Sequence, residues 1–219
     1  MNYEQLNNNT VSLSGEVLDD PKFSHEIFNE GFYEFDLKVP RLSDSFDIIP
    51  VTLSEKLMYD HNIKKGKKIS ASGQFRSFNK LEDGKSKLML TMFIRELNDF
   101  NEEINPNKID IVGYICKEPI FRTTPFKREI CDVLLAVNRN YNKSDYLPCI
   151  AWGRNARFMK NLQVGDKVEV SGRIQSRDYQ KRLESGDTES HTAYEVSLSQ
   201  VALCEQQLNF NKHLEDNVM

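Results

Sequence analysis

The chain has 219 residues and a mass of 25.4 kDa, with 29 Lys and Arg against 33 Asp and Glu, for a net charge of −4. This length allows one large domain or two of about 100 residues, and an apolar content of 39% excludes a wholly disordered chain. No apolar run approaches the roughly 20 residues of a membrane span. Residues 1–10 lack the basic and apolar regions of a secretory signal. We therefore expect a cytoplasmic protein with no membrane partner.

The cysteine spacing argues against a metal site. Cys116, Cys131, Cys149 and Cys204 never form a C-x-x-C pair, and structural zinc sites use such close pairs. Cys131 and Cys149 lie in strand-like runs, which favours buried free thiols. We expect neither a metal nor another cofactor.

Two long stretches of the chain repeat one another. Glycines and prolines recur at an offset of 98 or 99 residues: Gly15 with Gly113, Pro21 with Pro119, Pro50 with Pro148, Gly66 with Gly165 and Gly73 with Gly172. This collinearity predicts two copies of one domain, which we place at 1–103 and 104–205, followed by a short tail at 206–219. The copies differ in charge, because residues 1–104 carry a net −5 and residues 105–219 a net +1.

Each copy is predicted to contain three strands, one short helix and two further strands. In the second copy the runs rich in β-branched and aromatic residues are 109–116, 129–139, 146–152, 166–179 and 192–203, and the helical run is 155–162. In the first copy residues 54–63 take the helix position, with Ser54 as the N-cap. This order is typical of the OB-fold. The predicted fold is all-β with one short helix per domain, as tandem OB-fold, five-stranded Greek-key barrels.

Two strands of the second copy place rings and cations on one face. Because side chains alternate along a strand, Leu147, Cys149 and Ala151 are expected to face the barrel interior. The outward positions are Tyr146, Pro148, Ile150 and Trp152 on one strand, and Arg173, Gln175, Arg177 and Tyr179 on the other. Base–aromatic stacking tolerates any base sequence, and Arg and Lys bind phosphates. The pattern predicts a surface for single-stranded nucleic acid, with RNA as an alternative to DNA.

The second copy also contains an ordered series of stretches. These are G-x-x-x-x-x-P from Gly113 to Pro119, LLAVNRNY, YLPCIAWG, a helix and VGDKVEVSGRIQSRDY. In order and spacing they resemble the bacterial single-stranded DNA-binding protein family, over residues 107–204. The resemblance implies sequence-independent binding and protection of single-stranded DNA in replication, repair or recombination. It also implies base stacking at Tyr141, Tyr146, Trp152 and Tyr179.

The first copy departs from this pattern. Its positions aligned with the four rings are Ser43, Ile48, Ser54 and Lys80, so Phe46 and Phe78, two residues from Ile48 and Lys80, are predicted to take over part of the stacking. The predicted DNA-binding set is Tyr141, Tyr146, Trp152, Arg154, Arg173, Gln175, Arg177, Tyr179, Lys181 and Arg139 in the second copy, and Phe46, Arg76, Phe78 and Lys80 in the first. The first copy is expected either to bind DNA weakly or to serve mainly in assembly.

The resemblance bears on assembly and partners as well. The usual family unit has four OB-folds, so a chain with two is expected to form a homodimer that presents four. Family members typically end in a Gly/Pro/Gln-rich linker and an acidic tip that recruits replication and repair enzymes. Residues 205–219, EQQLNFNKHLEDNVM, contain neither. Replication or repair proteins stay candidate partners of a nucleoid-associated protein, but we do not expect recruitment through such a tip.

Two other classes of function compete with DNA binding. A primosome-type OB-fold module that binds proteins, with weak or no DNA binding, fits the divergent first copy, whereas the rings of the second copy argue against it. An enzyme is not expected. The histidines His25, His61, His191 and His213 are scattered, and the chain has neither a G-x-x-x-x-G-K-[ST] nor a G-x-S-x-G motif.

Overall fold

The computed structural model describes residues 7–82, 84–101, 105–140, 142–182, 186 and 188–204, except for the side chains at 82, 181 and 182. The first half comprises β1 (Asn9–Val17), β2 (Lys22–Ile27), β3 (Glu30–Pro40), β4 (Phe46–Ser54), α1 (Glu55–Asp60), β5 (Lys68–Glu82) and β6 (Lys85–Asn98). The second half comprises β7 (Asn107–Ile115), β8 (Ile120–Thr123), β9 (Glu129–Arg139), β10 (Lys143–Trp152), α2 (Arg154–Met159), β11 (Lys167–Arg182) and β12 (Thr188–Leu203). Within this described part, neither helix is long and apolar enough to cross a membrane.

Each half closes into a barrel with the same strand order. In the first half the order is β1-β3-β4-β6-β5 and back to β1, and in the second it is β7-β9-β10-β12-β11 and back to β7. All pairings within a barrel are antiparallel except β4 with β6 and β10 with β12. Two five-stranded Greek-key barrels in tandem, each with one short helix, confirm the predicted fold class.

The first strand of each barrel is broken, which the sequence prediction missed. In the first half β1 pairs with β3 at Val17, and the Leu18 N–H still donates to the Asp36 carbonyl of β3. The chain then leaves the ladder, and β2 resumes pairing with the same strand at Lys22. β8 repeats this arrangement on β9. Pro21 and Pro119 lie in the two breaks, and proline has no N–H to donate to a ladder. The short segments β2 and β8 therefore extend the first barrel strand beyond an interruption.

Both predicted helices are present and short. The Ser54 side chain accepts a hydrogen bond from the Leu57 N–H, so Ser54 is the N-cap of α1 as predicted. The α2 helix ends at Met159, three residues before the predicted end. Ala156 and Met159 are fully buried in its barrel, and Leu162 packs against the same core. The helical spacing of these apolar residues therefore identified the face that packs on the barrel.

The barrel interiors hold the residues that strand alternation placed there. Leu147, Cys149 and Ala151 are buried along β10. Cys131 and Cys149 are free and buried, as predicted. Burial raises the pKa of the Cys131 thiol to about 11, so this thiol is protonated and unreactive at neutral pH.

The two barrels are joined into one sheet by their first strands. β1 and β7 run antiparallel, with Val11 opposite Ile109 at the middle of the register. Asn9 donates to the Phe75 carbonyl (2.7 Å) and accepts from the Phe75 N–H (3.0 Å). Asn107 makes the same pair of bonds with Ile174, at 2.7 and 2.9 Å. These bonds lie within each barrel. Because Asn9 and Asn107 are 98 residues apart, the two strands of the joint follow the same duplication as the sequence.

Two buried aspartates fasten the barrels to each other on either side of this joint. Asp47 accepts two hydrogen bonds from Arg41 (2.5 and 2.8 Å) and, from the second barrel, bonds from Arg173 (3.1 Å) and the Ser176 N–H (2.8 Å). Its counterpart Asp145 accepts from the Ser77 N–H of the first barrel at 2.7 Å. Both carboxylates have almost no solvent exposure, so each depends on partners from both barrels.

We expect the Gly172→Ala variant to lose about 1–3 kcal/mol in free energy of unfolding, because it forces an extra carbon into a packed backbone. A Cβ at Gly172 would lie 2.2 Å from the Ser197 carbonyl oxygen on the neighbouring strand. At Gly31, an added Cβ meets only the flexible Glu55 side chain at 3.3 Å. Urea denaturation of the two variants should therefore show a much smaller loss for Gly31→Ala, and equal losses would contradict the argument.

Candidate nucleic-acid interface

Three of the predicted stacking rings lie exposed on the outer face of the second barrel. Tyr146 and Trp152 occupy β10 and Tyr179 occupies β11, with 46%, 37% and 40% of each residue exposed. The Trp152 indole N–H donates to the Ser197 hydroxyl at 3.2 Å, which fixes the plane of the ring. Tyr179 stacks on His191 with ring centroids 5.6 Å apart. Alternation along the strands thus placed these rings on the correct side of the barrel wall.

Arg177 is the predicted cation best placed beside these rings. Its guanidinium lies 5.9 Å from the centre of the Tyr179 ring, and its Nε lies 3.8 Å from a Glu195 carboxylate oxygen. The side chain is more than half exposed, so the Glu195 pair is weak. Arg154 is also exposed, at the start of α2 just beyond Trp152. Both cations are therefore open to a phosphate backbone.

Arg173 and Gln175 are held by protein contacts instead. Arg173 donates to Asp47 across the barrel joint and to the Gln175 amide oxygen at 3.0 Å. Gln175 is buried and donates in turn to Glu195 at 2.7 Å. Strand alternation places both on the outer face, but their polar groups already have partners. A DNA contact through either residue stays a prediction.

Arg139 and Arg76 meet at the second buried aspartate. The Arg139 Nε lies 3.3 Å from an Asp145 carboxylate oxygen, and the positive charge of Arg139 also acts on Arg76. Burial, followed by repulsion from Arg139 and Arg95, lowers the pKa of Arg76 to about 10. Burial raises the pKa of Asp145, although its bond from Ser77 and the two arginines oppose the shift. These arginines therefore hold the barrel joint, and phosphate binding by them stays a prediction.

The first-barrel candidates do not form one surface. Phe46 lies under the Lys38 ammonium, 4.5 Å from the ring centre, and lines a cavity beside Pro106. Phe78 lines a different groove, which it shares with Tyr194 of the second barrel. Lys80 is exposed near the end of β5. The structure thus separates two rings that the sequence prediction grouped together.

Other predictions concern parts of the chain without a description. Tyr141, the Lys181 side chain and the tail at 206–219 lie outside the described residues.

Three residues of β12 contact the predicted site residues but were not predicted: Glu195, His191 and Ser197. Alternation along β12 indicates that they share one face. Ile150 is only 5% exposed, between Asp132 and Ser197 in the sheet. Among the described residues, no group of three or more His, Cys, Asp or Glu side chains is placed to hold a metal ion.

The family comparison covers the second barrel. Residues 106–204 match the model described as the single-strand binding protein family. Single-stranded DNA-binding protein 1 of Staphylococcus aureus (strain COL) is 34% identical over 83 residues, which are 35% of this chain and 50% of that protein. Single-stranded DNA-binding protein A of Bacillus subtilis (strain 168) is 32% identical over 83 residues, 35% of this chain and 48% of that protein. The chain thus spans about half the length of these curated relatives.

The structural comparison covers both barrels. A deletion mutant of the single-stranded DNA binding protein from Thermus aquaticus superposes with a TM-score of 0.70, over 94% of this chain and 98% of that chain. The identity is 19%, so this likeness establishes the fold alone. The predicted resemblance is confirmed over residues 106–204, less than half of the chain, which match the single-strand binding protein family.

Proposed function

We propose that the chain binds single-stranded DNA without regard to sequence, through base stacking on the second barrel. The observation that carries this proposal is the set of exposed rings at Tyr146, Trp152 and Tyr179, with Arg177 beside them, on one barrel face. Each base presents a π-face to such rings, and stacking contributes about 1–3 kcal/mol per base. The family match over the same residues supports the assignment.

Several finer features belong to the same proposal. The domains are residues 1–103 and 104–205, with a short tail at 206–219. Two chains associate into a homodimer with four barrels, and the protein protects single strands in replication, repair or recombination in the cytoplasm, at the nucleoid. Base stacking and phosphate contacts do not themselves distinguish DNA from RNA, so the preference must be measured with both.

The test follows the fluorescence of Trp152, the single tryptophan of the chain. Oligo-dT is titrated into the protein at low and at physiological salt. We expect saturable quenching, with an affinity that falls as salt rises by a log–log slope of about −0.7 per phosphate contact. Oligo-U in parallel measures the preference for DNA. A folded protein whose fluorescence does not change at any salt would contradict stacking on Trp152 and favour the protein-binding module.

A further inference from the structure

Three aromatic rings form a column on the outer face of the first barrel. His25 stacks on Phe32 with centroids 5.1 Å apart and planes 14° apart, and Phe32 lies 5.7 Å from Phe93. His25 is exposed, Phe32 is buried and Phe93 is half-buried. A flat ligand therefore has a platform here, with His25 as its accessible face.

The column occupies the place that Trp152 holds in the second barrel, but on the neighbouring strand. Ser54 aligns with Trp152, so the first barrel has no ring at that position. In the first barrel Thr52 pairs with Phe93. The residue equivalent to Thr52 in the second barrel is Ile150, and it pairs with Ser197. Phe93 thus occupies the position in the first barrel that Ser197 occupies in the second, where Ser197 accepts a hydrogen bond from the Trp152 indole N–H. One barrel has a ring on β10 and a serine on β12, and the other has a serine on β4 and a ring on β6.

Two arginines lie against this column. The Arg76 guanidinium is 4.1 Å from the centre of the Phe93 ring. Arg76 and Arg95 both donate to the Gln74 amide oxygen, at 3.0 and 3.1 Å, so a neutral group is their common acceptor. The Arg76 Nε is buried and has no hydrogen-bond partner among the described residues. Such a convergence of guanidinium donors suits a phosphate.

The second barrel has a carboxylate at the strand position where the first barrel has a hydroxyl. Glu195 stands opposite Gln175, where it accepts from the amide and lies beside Arg177. The equivalent residue opposite Arg76 is Thr91, a neutral side chain hydrogen-bonded to Thr52 at 2.9 Å. A carboxylate is thus replaced by a hydroxyl next to the arginine pair. The carboxylate that acts on Arg76 is Asp145 of the second barrel, whereas the exposed Arg95 donates to the neutral Gln74 amide. Arg95 is therefore the accessible cation beside the rings.

We propose that the first barrel carries its own single-stranded nucleic-acid subsite, in which a base stacks on the His25–Phe32–Phe93 column and a phosphate binds Arg76 and Arg95. This inference rests on the proposed function and extends it to the copy that lacks the family's stacking positions. A strand long enough to cross both barrels contacts Trp152 on one and the ring column on the other.

The test uses the full chain and two fluorescein-labelled oligo-dT probes. One probe has about 8 nucleotides, within the roughly 4–16 that one OB-fold accommodates, and the other has about 30, enough for two barrels. Phe93→Ala and Arg95→Gln should each weaken binding of the long probe by about fivefold or more. Quenching of Trp152 by the short probe should stay within about twofold of the wild type, because that ring lies on the other barrel.

Matched variants separate this subsite from general effects. Phe93→Tyr keeps the ring and should restore binding of the long probe. Lys64→Gln removes an exposed cation of the same barrel in the turn before β5, where Gly66 bonds to Val17, and should leave binding unchanged. Arg95 is exposed, so its variant is expected to fold even if Phe93→Ala does not. Unchanged long-probe binding in Arg95→Gln, with normal quenching of Trp152, overturns this inference alone. A wild type that binds neither probe overturns the proposed function with it.

Discussion

Replacement of Asp47 by alanine should lower the free energy of unfolding by about 1–3 kcal/mol, the usual cost of leaving hydrogen-bond donors at a buried site without their acceptor. The carboxylate is fully buried and accepts bonds from Arg41, Arg173 and the Ser176 N–H. Its loss removes the shared acceptor of two guanidinium groups and one backbone amide, at a contact that includes both barrels. Urea denaturation followed by far-UV circular dichroism measures the change.

The matched control is an ion pair of similar geometry at the surface. Arg122 donates two hydrogen bonds to Asp132, at 2.6 and 3.2 Å, but both side chains are at least one-third exposed. Exposed pairs contribute about 0.2–1 kcal/mol, so Asp132→Ala should have a small effect. If Asp47→Ala were no more destabilising than Asp132→Ala, the assignment of Asp47 as a fastener of the two barrels would be wrong.

Loss of Trp152 should weaken the binding of oligo-dT by about 5- to 150-fold, which corresponds to the 1–3 kcal/mol of one base–aromatic stack. The ring is exposed on β10, and its indole N–H is held by Ser197. Trp152→Ala removes the stacking surface, whereas Trp152→Phe keeps a ring and should retain most of the affinity. Because these variants lack the intrinsic fluorophore, anisotropy of labelled oligo-dT at fixed salt is the measurement.

Tyr179 and Phe158 offer a pair matched in exposure. Both residues are 40% exposed in the second barrel, but Tyr179 lies on the candidate face, and Phe158 lies on α2. Tyr179→Ala should weaken binding, and the double variant with Trp152→Ala should weaken it further. Phe158→Ala should leave binding unchanged. Equal losses for Tyr179→Ala and Phe158→Ala would mean that exposed rings matter wherever they lie, which would refute a localised stacking face.

Periodicity predicted those parts of the molecule that depend on neighbours along the chain. The inward set of β10, the N-cap at Ser54 and the helical stripe of Ala156 and Met159 all follow from local spacing. The strand breaks at Pro21 and Pro119 were missed because prolines near a strand end also suit an ordinary turn. The duplication extended these local predictions to both halves.

Contacts between the barrels could not be predicted in this way. Arg173 is on the predicted outer face, yet it donates to Asp47, a residue 126 positions earlier in the chain. Nothing in the alternation of β11 indicates a buried carboxylate opposite it. The ring at Phe93 could not be predicted for a related reason: the position aligned with Trp152 is Ser54 on β4, whereas this ring lies on the neighbouring strand β6.

The joint between β1 and β7 has the geometry of an isologous dimer contact enclosed within one polypeptide. Val11 and Ile109 are equivalent residues at an offset of 98, and they pair with each other, as residues on a two-fold axis do. In a true homodimer every substitution appears on both sides of the axis, so the two sides cannot diverge. Here they can diverge. Asp47 and Asp145 keep the equivalent arginines Arg41 and Arg139, but their second arginines, Arg173 and Arg76, are not equivalent. Because the two barrels are linked in one chain, their sequences need not be identical at the contact. One half can therefore keep its tyrosines and tryptophan while the other acquires a different set of rings.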